Sequence, residues 1–271
     1  MKIAVIPIWG RLPLVPHTIK QALRVVDKVI VVASRGAEKY DVTGASESVR
    51  VPRNAMLGEK WNAGFYAAKK YDPDQILFIG SSDWVSDNWM DVMLPYSEDY
   101  DIVGVSGFHL LHLDYDILNK VSELKIKAAL SGTHTVDVKY RGMSLRLWGG
   151  YDNDRKGQSI GIGRVLNRRF LKRIDYKPFG DLSRQGMDWN MFNLAESHKV
   201  VNDDNIKCLS ISTSLWTNLH EFDEGGVIKD ENFLDKWFPD TRNLTGWTEA
   251  ELSNTEIRYG MYQMPTNVRY R

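Results

Sequence analysis

Two acids in this chain have neighbours that could put them to chemical use. Asp83 ends the stretch Gln75–Trp84 (QILFIGSSDW), where the apolar run Ile76–Ile79 stops abruptly at Gly80-Ser81-Ser82-Asp83. A buried parallel strand delivers a carboxylate to the carboxyl edge of its sheet in this way. Ligands of open α/β sheets occupy the crevice beyond that edge. A carboxylate there can hold a divalent cation, and the cation a diphosphate, because hard cations take oxygen ligands and bridge to phosphates. The plainer alternative makes Asp83 the cap of a helix over Val85–Leu94. Asp188, in Gly186-Met187-Asp188-Trp189, opens a second helical stretch. An acid there commonly complements the helix dipole; the sharper alternative is a general base poised in a cleft.

Four further segments carry polar groups of interest. Pro7-Ile8-Trp9-Gly10-Arg11 follows the first strand, where α/β folds meet nucleotides, and Arg11 could contact a phosphate. In Leu57–Gly64 (LGEKWNAG), Gly58 permits close backbone approach, Lys60 could reach a diphosphate and Asn62 a ribose or sugar. Gly161-Ile162-Gly163-Arg164 has the outline of a dinucleotide fingerprint, but it lacks the third glycine and lies too late in the chain. His220, in Asn218-Leu219-His220-Glu221, is of a type that ligates metals when neutral, although a lone histidine is usually structural.

The elements that must position these groups follow from periodicity. Strands are expected over Lys2–Pro7, Lys28–Ala33, Val49–Pro52, Gln75–Ile79, Asp101–Phe108 and Ile206–Ser212. Helices are expected over Thr18–Val26, Leu57–Tyr71, Asp87–Leu94, Arg168–Ile174 and Met187–Glu196, with Trp9–Pro16 a proline-rich loop. Between them, Tyr115–Leu130 reads as a helix and Val136–Trp148 as one or two strands. Strand and helix alternate through the first 110 or so residues, as in a parallel α/β sheet with right-handed crossovers. The expected organisation is one unit over residues 1–215 with a C-terminal extension, 216–271, packed on it.

Composition narrows the class. The chain has 271 residues, 43% hydrophobic and 26% charged, as in ordinary globular proteins. Thirty-five basic residues balance thirty-five acidic ones, so no global field draws it to nucleic acid or an anionic membrane. The single cysteine, Cys208, excludes an internal disulfide and fits a reducing compartment. No run approaches the ~18 apolar residues of a membrane span, and the N-terminal apolar stretch is too short for a signal peptide. A cytoplasmic protein is expected.

The order of these motifs resembles the family 2-like glycosyltransferases of the GT-A fold, from Lys2 to about His220. The matching segments are KIAVIPIWGR, LGEKWNAGFYAAKKY, ILFIGSSDW, GQSIGIGRVLNRRFL and GMDWNMFNLAES. The resemblance implies a mostly parallel, Rossmann-like central sheet flanked by helices. It makes Asp83 the metal and diphosphate residue, Asp188 the catalytic base and His220 a second metal ligand. Pro7, Trp9, Arg11, Lys60, Asn62, Ser82, Asp83, Gly163 and Arg164 would then line the donor site, with Mn²⁺ or Mg²⁺ as cofactor. The chain departs from the family at three points. One aspartate stands where the family has two or more, Ala33-Ser34-Arg35 replaces the acid that reads the nucleobase, and Met187 replaces the glutamate before the base.

The implied activity is transfer of a sugar from a nucleotide-sugar to an acceptor hydroxyl, with inversion by single displacement and metal assistance. The acceptor is a saccharide or a hydroxymethylated base in viral DNA; the latter draws on the basic stretches Arg164–Arg173, Lys139–Arg146 and Arg269–Arg271. The reduced acidic motif keeps a non-catalytic nucleotide-sugar or glycan-binding module as an alternative. A nucleotidyltransferase is a weaker one, because the chain lacks an early glycine-rich phosphate loop.

Overall fold

The computed structural model describes residues 1–8, 14–34, 41–52, 56–113, 126–131, 134–138, 143–148, 157–179, 187–213, 225–227 and 232–244. The strands are β1 (Lys2–Ile8), β2 (Lys28–Ser34), β3 (Glu47–Val51), β4 (Gln75–Phe78), β5 (Asp83–Val85), β6 (Ile102–Gly104), β7 (Phe108–Leu113), β8 (Ile126–Ser131), β9 (His134–Val138), β10 (Met143–Trp148), β11 (Arg164–Asn167), β12 (His198–Val200), β13 (Cys208–Thr213) and β14 (Gly225–Val227). The helices are α1 (Val15–Ala22), α2 (Leu57–Ala68), α3 (Trp89–Ser97), α4 (Arg168–Arg173), α5 (Met187–Leu194) and α6 (Phe233–Trp237).

The expected α/β class is observed. Seven strands form a central sheet in the order β12-β6-β11-β4-β1-β2-β3. Every pairing is parallel except the two made by β11, which runs against β4 and β6. The inner strands of the sheet are buried on both faces, and their side chains alternate between two cores. Ala4, Ile6, Val29, Val31 and Leu77 pack with Ile19 of α1 and with Trp89 and Met93 of α3. Ile3, Val5, Ile30, Val32, Ile76 and Phe78 pack with Trp61 and Phe65 of α2, Phe170 of α4 and Phe192 of α5. Strands this apolar can only lie between two helical layers. Gly64 brings α2 close, since a Cβ there would stand 2.3 Å from Val5 and 2.6 Å from Val32.

A second seven-stranded sheet, β5-β13-β7-β10-β14-β8-β9, was not foreseen. It corrects several expectations. Asp83 opens strand β5, antiparallel to β13, rather than capping a helix over Val85–Leu94, and α3 starts only at Trp89. The stretch Asp101–Phe108 divides into β6 in the central sheet and β7 in the second. Ile126–Leu130, expected to be helical, lies in β8, and the preceding residues 115–125 are outside the described ones. Pro16, expected in a loop, sits in the first turn of α1, where its missing N–H leaves no bond unmade. Residues past 215 also contribute to this sheet, since β14 lies between β10 and β8.

Candidate active site

Parallel strands place their ends together. Ile8, Ser34, Val51, Phe78, Gly104 and Val200 close β1, β2, β3, β4, β6 and β12 at one edge of the central sheet. Strand β11 runs the other way, so the residue that opens it, Arg164, lies at this same edge in register with Phe78. The candidate site is built around the end of β4.

On one side of that end, the chain leaves β4 through Gly80 and folds back into β5. The Asp83 carboxylate turns onto this bend: Oδ2 accepts from the Gly80 N–H at 2.8 Å, and Oδ1 from Ser210 Oγ at 3.0 Å. A Cβ at Gly80 would stand 2.6 Å from Asp83 Oδ2, so the close approach depends on glycine. Helix α1 clamps the bend, with Thr18 Oγ1 donating to the Ser81 carbonyl (2.9 Å) and Gln21 Nε2 to the Val85 carbonyl (2.9 Å). Ser82 is buried within it, and its carbonyl accepts from the Ile211 N–H. Asp83 itself remains half-buried. Burial and the Asp83 charge push the nearby Cys208 thiol up, which leaves it a protonated, unreactive group.

On the other side, Asp188 lies in the first turn of α5, its side chain 22% exposed. Its Oδ1 accepts from Arg164 Nη1 at 2.5 Å. Arg164 is fully buried. Nε of Arg164 donates to Ser159 Oγ (3.2 Å), Nη2 donates to the Ser159 carbonyl, and the guanidinium lies 4.8 Å over the Phe192 ring. The structure thus corrects the placement of Arg164 on the donor: its guanidinium is committed inside the protein. Gly163, also expected at the donor, has a structural duty. It adopts φ +73°, donates its N–H to the Phe78 carbonyl (2.9 Å) and accepts from Trp89 Nε1 (3.0 Å).

Lys60 lies one turn before Gly64 on the same buried face of α2, towards the carboxyl edge. Pro7 and Ser34 follow Val5 and Val32 by two residues and share that face, by strand alternation. Burial pulls the Lys60 ammonium below its usual range. Ser34 Oγ, buried as well, has no hydrogen-bond partner among the described residues. Asn62 is placed differently from expectation. Both ends of its amide bind the Phe179 backbone, Nδ2 donating to the carbonyl and Oδ1 accepting from the N–H, so it fastens chain rather than reaching for a ribose. Trp9, Arg11 and His220 lie outside the described residues.

Two carboxylates therefore stand at one sheet edge on either side of the β4 end. No cluster of three or more His, Cys, Asp or Glu suited to a metal occurs among the described residues. Asp83 nevertheless fits a hard cation held mainly by a diphosphate, because Mg²⁺-type sites need only one or two carboxylates beside substrate phosphates.

The basic stretch Arg164–Arg173 does not form a free cationic patch. Arg168 pairs with Asp74 (2.9 Å), Lys172 with Asp72 (3.0 Å), and Arg173 and Arg169 with the fully buried Asp101 (2.5 and 3.5 Å). Burial opposes the charge on Asp101, yet Arg173, the Glu196 N–H and Arg169 together hold its carboxyl below the usual range. Asp72 and Asp74 precede β4. This cluster therefore lies at the amino edge of the sheet, opposite Asp83 and Asp188.

No sequence-family profile matches the chain, and no curated protein matches it in sequence. Among solved structures it is similar to S. aureus TarS residues 1–349 (11% identity, 78% of this chain and 60% of that one, TM-score 0.47). It is similar also to the mannosyltransferase PcManGT from Pyrobaculum calidifontis in complex with GDP-Man and Mn²⁺ (9% identity, 82% and 58%, TM-score 0.45). A third is the inositol-1-phosphate CTP transferase from T. maritima (12% identity, 81% and 92%, TM-score 0.40). The chain spans about 60% of the first of these and 58% of the second. No helix among the described residues is long and apolar enough to cross a membrane.

Proposed function

We propose that this protein is a glycosyltransferase that moves a sugar from a nucleotide-sugar to an acceptor hydroxyl by single displacement, with inversion. The observation that carries the reading is the placement of Asp83 and Asp188 at one carboxyl edge, flanking the end of β4. A nucleotide-sugar bound across that edge meets the needs of the reaction in order. Lys60 and Pro7 lie towards the β1–β2 end, where a diphosphate approaches the first turn of α2. Asp83 faces the leaving diphosphate. When bound there, Mn²⁺ or Mg²⁺ would neutralise the charge that develops on the departing oxygens. Asp188 Oδ2 takes the proton of the attacking hydroxyl, a contribution of roughly 10²–10⁴-fold.

Because Arg168, Arg169, Lys172 and Arg173 are already paired with acids, a saccharide acceptor is favoured over a base in DNA. The test is a panel of UDP-glucose, UDP-N-acetylglucosamine and GDP-mannose with MnCl₂, read first by thermal shift and then by release of UDP or GDP. A bound donor raises apparent stability by about 2.7 kcal/mol at a hundredfold excess over its dissociation constant. Asp188→Asn is expected to keep that shift and to lower turnover roughly 10²–10⁴-fold, to a small residual rate. Full turnover by this variant removes Asp188 from the chemistry. A wild type that binds donor without ever cleaving it is a binding module instead.

A further inference from the structure

Among the described residues, Arg164 is the largest charged side chain that is fully buried. Replacing a buried ion pair by apolar residues of similar volume is often neutral or stabilising, so such a pair is poor evidence for a stability role. The seat is nonetheless closely fitted. A Cβ on Gly104 would stand 2.6 Å from the Ser159 side chain and 3.2 Å from Arg164 Cγ, so the strand beside Arg164 has to be bare. Ser159 accepts from Nε through its hydroxyl and from Nη2 through its carbonyl, and the Phe192 ring closes the guanidinium face. With those donors fixed, Nη1 is left pointing at one atom, Asp188 Oδ1. Asp188 is the part of this unit that opens to solvent, while Arg164 is fully enclosed.

We infer that Arg164 is a positioning residue for the base: an interior guanidinium, held by Ser159 and Phe192, that fixes the Asp188 carboxylate plane so that Oδ2 faces the acceptor hydroxyl. The inference rests on the reading of Asp188 as general base. A planar fork suits the task better than an ammonium, because it imposes direction as well as charge.

The test is a kinetic double-mutant cycle on the full chain, with release of UDP or GDP from the panel sugars as the readout. Arg164→Met is expected to lower kcat about 100-fold, the order that a misplacement of about 1 Å costs, while KM for the donor stays within about twofold. In the Asp188→Asn background the same change is expected to have no further effect, because Arg164 acts only through Asp188. A loss that multiplies with that of Asp188→Asn, or a parallel rise in donor KM, overturns the inference and leaves Arg164 a packing residue. Should Arg164→Met fail to fold, Ser159→Ala keeps the cation and removes one of its anchors. It is expected to lower kcat about tenfold, the lower end of the worth of one hydrogen bond to a charged group, at unchanged donor KM. An unchanged kcat in that variant is equally fatal. Full activity in Asp188→Asn sinks the base assignment itself, whereas an inactive Asp188→Asn beside fully active Arg164 variants sinks only the role given to Arg164.

Discussion

Gly163→Ala should be disproportionately harmful for a single methyl group. Gly163 has φ +73°, and its N–H and carbonyl are bonded to the Phe78 carbonyl and the Trp89 indole. An alanine there must hold the left-handed region, at a cost of roughly 1–2 kcal/mol. Its Cβ would also stand 2.4 Å from Trp89 Cζ2 and 2.9 Å from Cε2. Trp89 is fully buried in the core between α3 and the sheet, so the ring cannot swing aside cheaply. Overpacking of this kind costs typically 1–3 kcal/mol. The sum, about 2–5 kcal/mol, is a large share of the ~5–15 kcal/mol that holds most folds. Urea denaturation followed by tryptophan fluorescence measures it; at a slope of about 3 kcal/mol/M the midpoint falls by roughly 0.7–1.7 M. In a Trp89→Phe background the same change should cost less, because the outer ring atoms it meets are gone. A midpoint indistinguishable from that of wild type would refute both the strained backbone and the rigid ring, and with them the fixed start of β11 from which Arg164 projects.

Two further expectations concern acid and metal. His109 is buried against Phe233, its ring nitrogen Nδ1 at 3.2 Å from the Cys208 carbonyl, and desolvation lowers its pKa to about 3. The unfolded chain protonates this histidine near 6.5 and the folded one does not, so stability falls as pH drops through the window from 6.5 towards 3. At pH 4.5 the loss from this group is about 2–3 kcal/mol. His109→Phe keeps the stacking and should flatten that part of the pH–stability curve in urea titrations; an unchanged slope would contradict the assignment. Asp83→Asn should leave the fold in place, because an amide oxygen can still accept from Gly80 or Ser210. It should nonetheless abolish the Mn²⁺-dependent part of the thermal shift given by GDP-mannose or UDP-glucose. A metal response equal to wild type would place the cation elsewhere.

The central sheet was legible in the sequence because its strands are short apolar runs, bounded by turns and separated by helices of helical period. Those are local signals, and β1, β2, β4, α2 and α5 are found where they were expected. The second sheet was not legible. Strands were expected where β9, β10 and β13 are found, but β5 and β8 lie in stretches that read as helix, and only long-range pairing, β5 with β13 for example, chooses between the two and joins the strands into a sheet. The same division holds at the site. Asp83 and Asp188 could be picked out by residue type and context, as a carboxylate after a buried strand and an acid opening a helix. What each one touches could not. Arg164 read as a donor-site cation after a glycine pair, and became an interior partner of Asp188 only because β11 runs antiparallel and starts where its neighbours end. Asn62 likewise read as a sugar ligand until the chain returned Phe179 to it, 117 residues later. Residue chemistry and local periodicity are properties of neighbours in sequence. Strand direction, burial and hydrogen-bond partners are properties of neighbours in space, and those are set only when the chain closes on itself.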